Sequence, residues 1–450
     1  MAKSVKKITD MEMKPANAHA AGIDIGSMLM MVSYTDNDGN LHLMEAGSST
    51  EQLHLIAQTL KDSGVTDVAM EATGIYWMPL YEVLESYKMR VILINASHYR
   101  NVQAQKTDVK DSQWIHQLLT YGLLRHSHIA GDKYRELRDY LSSRSILQKN
   151  KSDTLNRIHK LLSQMNIKVQ QLISDLEGVT GMILLRALAS GEQDPEKLLS
   201  LIDVKRLKAS PEDLLKSLES IHKRQHQILL NELLMDYDHY KMRMKRMEQY
   251  IEQVLKELIP SQGGMESKHV APKTTKARKN QFDFNLKGYL DQILGTDLTA
   301  IDGLEEASIA EIIAITGSDM SKWPTAGHFT SWLNLNPRPK VSGGKLLGQQ
   351  RRYNNNQATQ CFRLAAQSLW KNKGPLGQLY ARLAVRKGSQ KAIKAVARKI
   401  AVIFYHMLKN KTSYNPALVG QDEEQRAKRK LKLFETQARK HGYKLVSLTA

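Results

Sequence analysis

The sequence predicts a multidomain chain of α/β plus α class, with an α/β domain at the N-terminus, a helical middle and a mainly helical C-terminal domain. Three observations predict it. Short apolar runs alternate with helical patterns from residue 19 to 130, the alternation that builds a sheet flanked by helices. From 131 to 260 long charged stretches carry Leu, Ile and Met at three- and four-residue steps, which is helix periodicity. A length of 450 residues also exceeds what one core fills, so roughly two or three domains are expected.

Residues 1–18 are polar and aperiodic, a flexible basic arm. Ala21 to Ile25, Leu29 to Tyr34 and Leu41 to Glu45 are strand-like runs, the last two joined by Asp36-Asn37-Asp38-Gly39-Asn40, which is hairpin-turn chemistry. Thr50 to Lys61 places Leu53, Ile56, Ala57 and Leu60 on one helical face, with Ser49 or Thr50 as N-cap. Asp67 to Met70 and Arg90 to Ile94 predict buried strands; Tyr76 to Tyr87 and Val109 to Leu124 predict helices. The order βββαβαβα resembles a ribonuclease-H-like fold, which assigns 19–130 to one domain. In such a fold the acid of the first strand lies mid-sheet, beside the end of the next parallel strand.

In the helical region, 131–260, Leu155, Ile158, Leu162 and Met165 form one seam. Tyr240, Met244, Met247, Ile251, Val254 and Leu258 form a longer one in 4-3-4-3-4 steps, the spacing of a coiled-coil face. Leu214, Leu218, Ile221 and Gln225 run toward it and lose register near 228–233, the pattern of a stutter. An intramolecular helical hairpin and dimerisation both satisfy such seams. Residues 261–285 form a basic linker, with Gly263-Gly264, Pro272, Lys273, Lys276, Arg278 and Lys279. The C-terminal domain is assigned to 286–415. Its Asp302-Gly303 turn before a helix from Ala307 resembles a helix-hairpin-helix, whose turn amides can hold a phosphate. Residues 324–352 read as irregular, Gln357 to Lys371 and Ser389 to Lys409 as helices, the second carrying Lys391, Lys394, Arg398 and Lys399. The tail, 416–450, is basic.

The formal charge of +19 makes a polyanion the expected partner. No apolar run reaches the roughly 18 residues of a membrane span, and no signal core follows the first charges; a soluble, unexported, cytoplasmic protein with no membrane partner is expected. A single cysteine, Cys361, excludes internal disulfides and a zinc ribbon. His98, His126 and His128 show no ligand spacing, so a metal would take oxygen ligands.

Four acids supply them: Asp24 in the first strand, Glu71 at the end of the next parallel one, and Asp108 and Asp111 three apart at a helix start, facing the same way. Gathered in one pocket they would repel unless a cation neutralised them, and hard oxygen donors select Mg²⁺ or Mn²⁺. Such a site serves phosphoryl chemistry, with Lys106 a phosphate contact. Taken singly, each acid is as readily a turn or cap residue. Gly22-Ile23-Asp24-Ile25-Gly26-Ser27 also resembles the first phosphate loop of sugar-kinase and actin-like ATPases, but no second glycine-rich loop follows. Ser342, in Ser-Gly-Gly-Lys, is the one serine whose surroundings suggest a nucleophile. Gly343 and Gly344 leave the backbone open to a phosphate, and Lys345, Arg351 and Arg352 would stabilise its charge. On its own such a loop is more often a turn.

These motifs together carry a resemblance. Gly-Ile-Asp-Ile-Gly, Met-Glu-Ala-Thr-Gly-Ile-Tyr, Lys-Thr-Asp-Val-Lys-Asp and the distant Ser-Gly-Gly-Lys, in order over residues 20–410, closely resemble the DEDD insertion-sequence transposases, also called bridge-RNA-guided recombinases. The resemblance implies a RuvC-like N-terminal domain, a coiled coil and a C-terminal transposase domain. It implies metal binding by Asp24, Glu71, Asp108 and Asp111, a catalytic Ser342, and Arg363 as a loose match to a later arginine. It also implies donor and target DNA, a structured noncoding guide RNA and a homo-oligomer, dimer or tetramer, whose active site combines the acidic domain of one subunit with the serine domain of another. The setting implied is the nucleoid of a bacterial or archaeal cell. Two other functions remain open on the residues: a metal-only junction endonuclease and a non-catalytic nucleic-acid scaffold.

Overall fold

Near-continuous apolar strands require a sheet covered on both faces, and the computed structural model shows how each is covered. It describes residues 14–72, 74–94, 108–124, 128–260, 280–337, 339–349, 356–416, 431–432 and 434–443. Contacts divide the chain into two units, 1–129 and 130–450.

The first unit is a five-stranded sheet of β1 (Ala20–Ile25), β2 (Leu29–Thr35), β3 (Leu41–Gly47), β4 (Asp67–Glu71) and β5 (Arg90–Ile94), in the order β3-β2-β1-β4-β5. β1 is central, antiparallel to β2 and parallel to β4, and β4 is parallel to β5. One face buries Ala21, Ile23, Val68, Met70 and Leu93 with α1 (Thr50–Asp62) and α2 (Trp77–Ser86). Ser49 caps α1 by accepting from the Gln52 amide, and Leu53, Ile56, Ala57 and Leu60 form its buried stripe. Burying a side chain such as Leu80 or Leu84 contributes about 1.5–3 kcal/mol. The other face, with Ala20, Ala69, Ile92 and Ile94, lies under Ile115 and Leu119 of α3 (Asp108–Thr120).

In the second unit, α4 (Asp132–Gln164) and α8 (Arg224–Leu258) run antiparallel as a long helical hairpin. Lys133 pairs with Glu257, the Tyr140 ring packs at a tilt against Tyr250, Arg144 pairs with Glu248 and Lys151 lies over Tyr237. As one number rises the other falls, the mark of antiparallel helices. Among these is a buried charge pair, Arg144 to Glu248 at 2.7 Å, each side chain 7% exposed. Burial raises the Glu248 carboxyl above its usual range against the pull of the guanidinium. The pair also fastens the next segment: Arg144 donates to the Asn280 carbonyl and lies over the Phe282 ring, and Glu248 accepts from the Asp283 amide.

The far end of the hairpin is closed by α5 (Val179–Ser190), α6 (Pro195–Ser200) and α7 (Pro211–Leu218), around Ile158, Leu162, Leu185, Leu214 and Leu230. This corrects the expected stutter: α7 ends at Leu218 and α8 starts at Arg224, so Ile221 belongs to a connection and is 60% exposed. The Ile221 amide instead donates to the Met165 carbonyl. The α8 seam is also turned from the expected one. Met244, Ile251 and Val254 are buried as expected, but Tyr237, Glu248 and Leu255 share the buried stripe, while Tyr240, Met247 and Leu258 are half-buried.

The near end of the hairpin joins a helical core of α9 (Leu286–Leu294), α10 (Glu306–Thr316), α11 (Ala326–Trp332), α12 (Gln357–Ser368), α13 (Pro375–Lys387) and α14 (Ser389–Asn410). Phe329, Phe362, Phe404 and Tyr405 lie at its centre. Gly303, at φ +87°, leaves no room for a Cβ, which would sit 2.5 Å from the Ala365 carbonyl oxygen of α12; close packing accounts for that glycine. The 324–352 stretch is not irregular throughout: it holds α11 and a two-stranded hairpin, β6 (Pro339–Ser342) and β7 (Lys345–Gln349). Most of the linker expected at 261–285 lies outside the described residues.

Candidate active site

Register decides whether the first two acids meet. Gly22 pairs with Ala69 and Ile23 with Met70 across the parallel β1–β4 pair, so the next positions, Asp24 and Glu71, are adjacent. Neighbouring parallel strands are about 4.8 Å apart and paired residues share a face. Both acids therefore stand at the C-terminal edge of the central strands, on the face that α3 covers, and both are half-buried. Beyond Glu71 the chain turns at Gly74, with φ +57°. Ile75 and Tyr76 follow, 72% and 48% exposed.

α3 runs antiparallel to β1. Its C-terminal end is tied to the segment leading into that strand, where the Ala16 and Asn17 amides donate to the Thr120 carbonyl and the Asn17 side chain to the Leu119 carbonyl. Its middle lies on Gly22, where an added Cβ would be 2.2 Å from the His116 nitrogen and 2.5 Å from the Ser112 carbonyl oxygen. Two strand residues from Gly22 to Asp24 advance about 6.6 Å. Four helix residues from Ser112 back to Asp108 advance about 6 Å the same way. The helix start is thus level with the Asp24–Glu71 edge. Asp111 is half-buried on this helix. Asp24, Glu71 and Asp111 do not close a three-ligand group, and no such group occurs among the described residues. The Asp108 side chain, Thr107 and Lys106 lie outside them.

α3 also carries a titrating anchor. The His116 ring lies between the Ser33 and Thr35 hydroxyls, each 3.2 Å from one ring nitrogen. Burial pulls its pKa down to about 4. The neutral ring is the native form, so its contribution is complete above pH 6.5 and is lost as pH falls from there through 4. The loss amounts to on the order of 3 kcal/mol. In denaturant melts between pH 7 and pH 4.5, His116→Gln is expected to lose less stability than the parent chain; equal losses would remove His116 as the cause.

Ser342 and Lys345 pair at the end of the β6–β7 hairpin. Gly343 and Gly344, at φ +54° and +77°, make the two-residue loop. Positive φ at both central residues is a type I′ turn, which suits paired glycines. All of β6 is exposed, and among the described residues nothing lies within 4 Å of where either glycine would bear a Cβ. The serine is therefore presented on a regular hairpin, which sequence reasoning missed because its residues face solvent and show no apolar alternation. Lys345 and Arg363 are exposed; Arg351 and Arg352 lie outside the described residues. Cys361 is a core residue whose thiol donates to Glu311, and burial pushes it up.

Two family models place a chain with this sheet and this helical domain in the class of DNA transposases. The transposase model of the DEDD type matches residues 21–167. The model of the transposase IS116/IS110/IS902 family matches residues 295–381. Together they cover over half of the chain. The chain belongs to the IS110 family of transposases, enzymes that cut and rejoin DNA. No curated protein matches it at significance. No described helix is long and apolar enough to cross a membrane.

Proposed function

We propose that the chain moves an insertion sequence by cutting and rejoining donor and target DNA through Ser342, with Mg²⁺ or Mn²⁺ held by Asp24, Glu71, Asp108 and Asp111. A structured noncoding RNA of the element pairs with both DNAs and guides the reaction, and the working form is a homo-oligomer at the nucleoid. The observation that carries this reading is the register that stands Asp24 beside Glu71 at the level of the α3 start. Two carboxylates side by side are unfavourable without a cation, and an all-oxygen donor set fits a hard one.

The bound ion supplies charge stabilisation at the phosphate. The protein groups do the rest. The Ser342 Oγ attacks phosphorus and gives up its proton; a P–O bond to serine forms as the bond to a deoxyribose oxygen breaks, and that oxygen leaves as a hydroxyl. Gly343 and Gly344 keep the approach open, while Lys345, Arg351 and Arg352 neutralise the phosphoryl oxygens and Lys106 and Arg363 hold flanking phosphates. Attack by the hydroxyl of another strand releases Ser342 and restores a phosphodiester. One phosphate ester replaces another at each stage, so rejoining needs no outside energy source.

The test is covalent trapping. On DNA bearing the element's ends, the parent chain should form a denaturant-resistant protein–DNA adduct. Ser342→Ala should form none and lose strand transfer by about four orders of magnitude or more, the scale for removal of a nucleophile. An adduct in that variant removes Ser342 from the role. Cleavage without any adduct in the parent chain would point to a metal-only endonuclease in which Ser342 is a turn residue.

A further inference from the structure

The hairpin that presents Ser342 begins beside a groove that neither the acids nor the serine accounts for. Its volume is about 280 Å³. Leu335, Pro337 and Leu383 line its floor, and Lys387, Lys391, Lys394 and Arg398 line its rim. Lys391, Lys394 and Arg398 recur at three- and four-residue steps on α14, which sets them on one helical face. All four cations are exposed, and no carboxylate is among the described residues that line the groove. The three on α14 lie beyond the matched residues 295–381.

An apolar floor with a one-signed rim suits a chain with an apolar sugar face and regularly spaced anions, which a nucleic-acid backbone has. Pro337 is five residues from Ser342, at most about 18 Å of extended chain. Phosphates on one strand of a duplex advance about 3.4 Å each along the axis, so the groove is within about five nucleotides of the serine. DNA is the substrate of the family, and this reach favours it over RNA.

We propose that the groove holds the backbone of the DNA strand cut at Ser342, with Lys391, Lys394 and Arg398 each on a phosphate. The proposal rests on the assignment of Ser342 as nucleophile. Its test reads binding alone, so the two can fail separately.

The experiment compares the full chain with the triple variant Lys391→Gln, Lys394→Gln, Arg398→Gln on a short nonspecific DNA duplex, across a salt series. Each lost phosphate contact lowers the slope of log affinity against log salt by about 0.9, so three lower it by about 2.7. From roughly 50 to 200 mM salt, the parent chain should then lose about 40-fold more affinity than the variant. A charge-matched control, Lys197→Gln, Lys208→Gln, Lys216→Gln, should keep the parent slope. On element-end DNA, methylphosphonates within about five nucleotides of the cut should make parent and triple variant bind alike. An unchanged slope in the triple variant overturns the proposal. So does an equal drop in the control, a drop seen with structured RNA but not with DNA, or a difference that survives the methylphosphonates. If the slope falls as expected while Ser342→Ala still forms an adduct, the groove stands and the nucleophile assignment fails.

Discussion

Asp24→Asn is expected to abolish Mg²⁺-dependent stabilisation of the chain and to reduce strand transfer by at least about 10²-fold, the scale for removing one preorganised electrostatic contact. The two effects separate because Asp24 and Glu71 are neighbours in register. Without metal, their like charges on adjacent strands oppose folding. Asparagine keeps the shape and removes one charge, so the metal-free variant should stay folded, and the comparison reads the gain each chain makes on adding metal. With metal at about 100 times its dissociation constant, the parent should gain about 2.7 kcal/mol and the variant far less. Glu71→Gln should behave alike, since it removes the other half of the pair. Melting curves with Mg²⁺ and with chelator check both. If Asp24→Asn melts well below the parent without metal and both gain equally from Mg²⁺, Asp24 is a structural residue and the metal assignment fails.

The placement of that pair was legible in the sequence because it depends on strand order and register and on no packing between helices. Once Ala21 to Ile25 and Asp67 to Met70 are parallel neighbours, one register places Asp24 by Glu71. Burial of both sheet faces made those strands apolar enough to recognise. The α8 seam was harder. Tyr240, Met247 and Leu258 are as apolar as Tyr237 and Leu255, and the true stripe passes through Glu248, a charge that only its partner Arg144 on α4 makes tolerable inside. No periodicity read along one helix can show a partner on another. The Ser342 hairpin failed for the opposite reason. It buries nothing along β6, so only its Gly343-Gly344 turn left a signal. The groove cations were visible as an amphipathic pattern on α14, but Leu335 and Pro337, about sixty residues upstream, had to be brought beside them by the fold.

Gly22→Ala is expected to give the largest structural effect of any single methyl added to the first unit. In the sequence Gly22 belongs to a motif that a phosphate loop would explain equally well. In the fold it lies in the middle of β1 with the backbone of α3 directly on it, and the new Cβ would be 2.2 Å from the His116 nitrogen, 2.5 Å from the Ser112 oxygen and 2.7 Å from the His116 Cα. All three are main-chain atoms, so no rotamer change relieves the clash. Helix and strand must separate. Overpacking of a core ordinarily destabilises by about 1–3 kcal/mol, occasionally more, and a rigid backbone neighbour places this case at or above the upper end. The displaced helix carries Asp108 and Asp111, so activity should fall beyond what the population of unfolded chain explains. Amide exchange would show faster opening along Ser112 to Leu119, with the α4–α8 hairpin of the second unit unchanged. Normal exchange in α3 together with full strand transfer would mean that β1 and α3 do not pack as described, and the level placement of the helix start with Asp24 and Glu71 would fall with it.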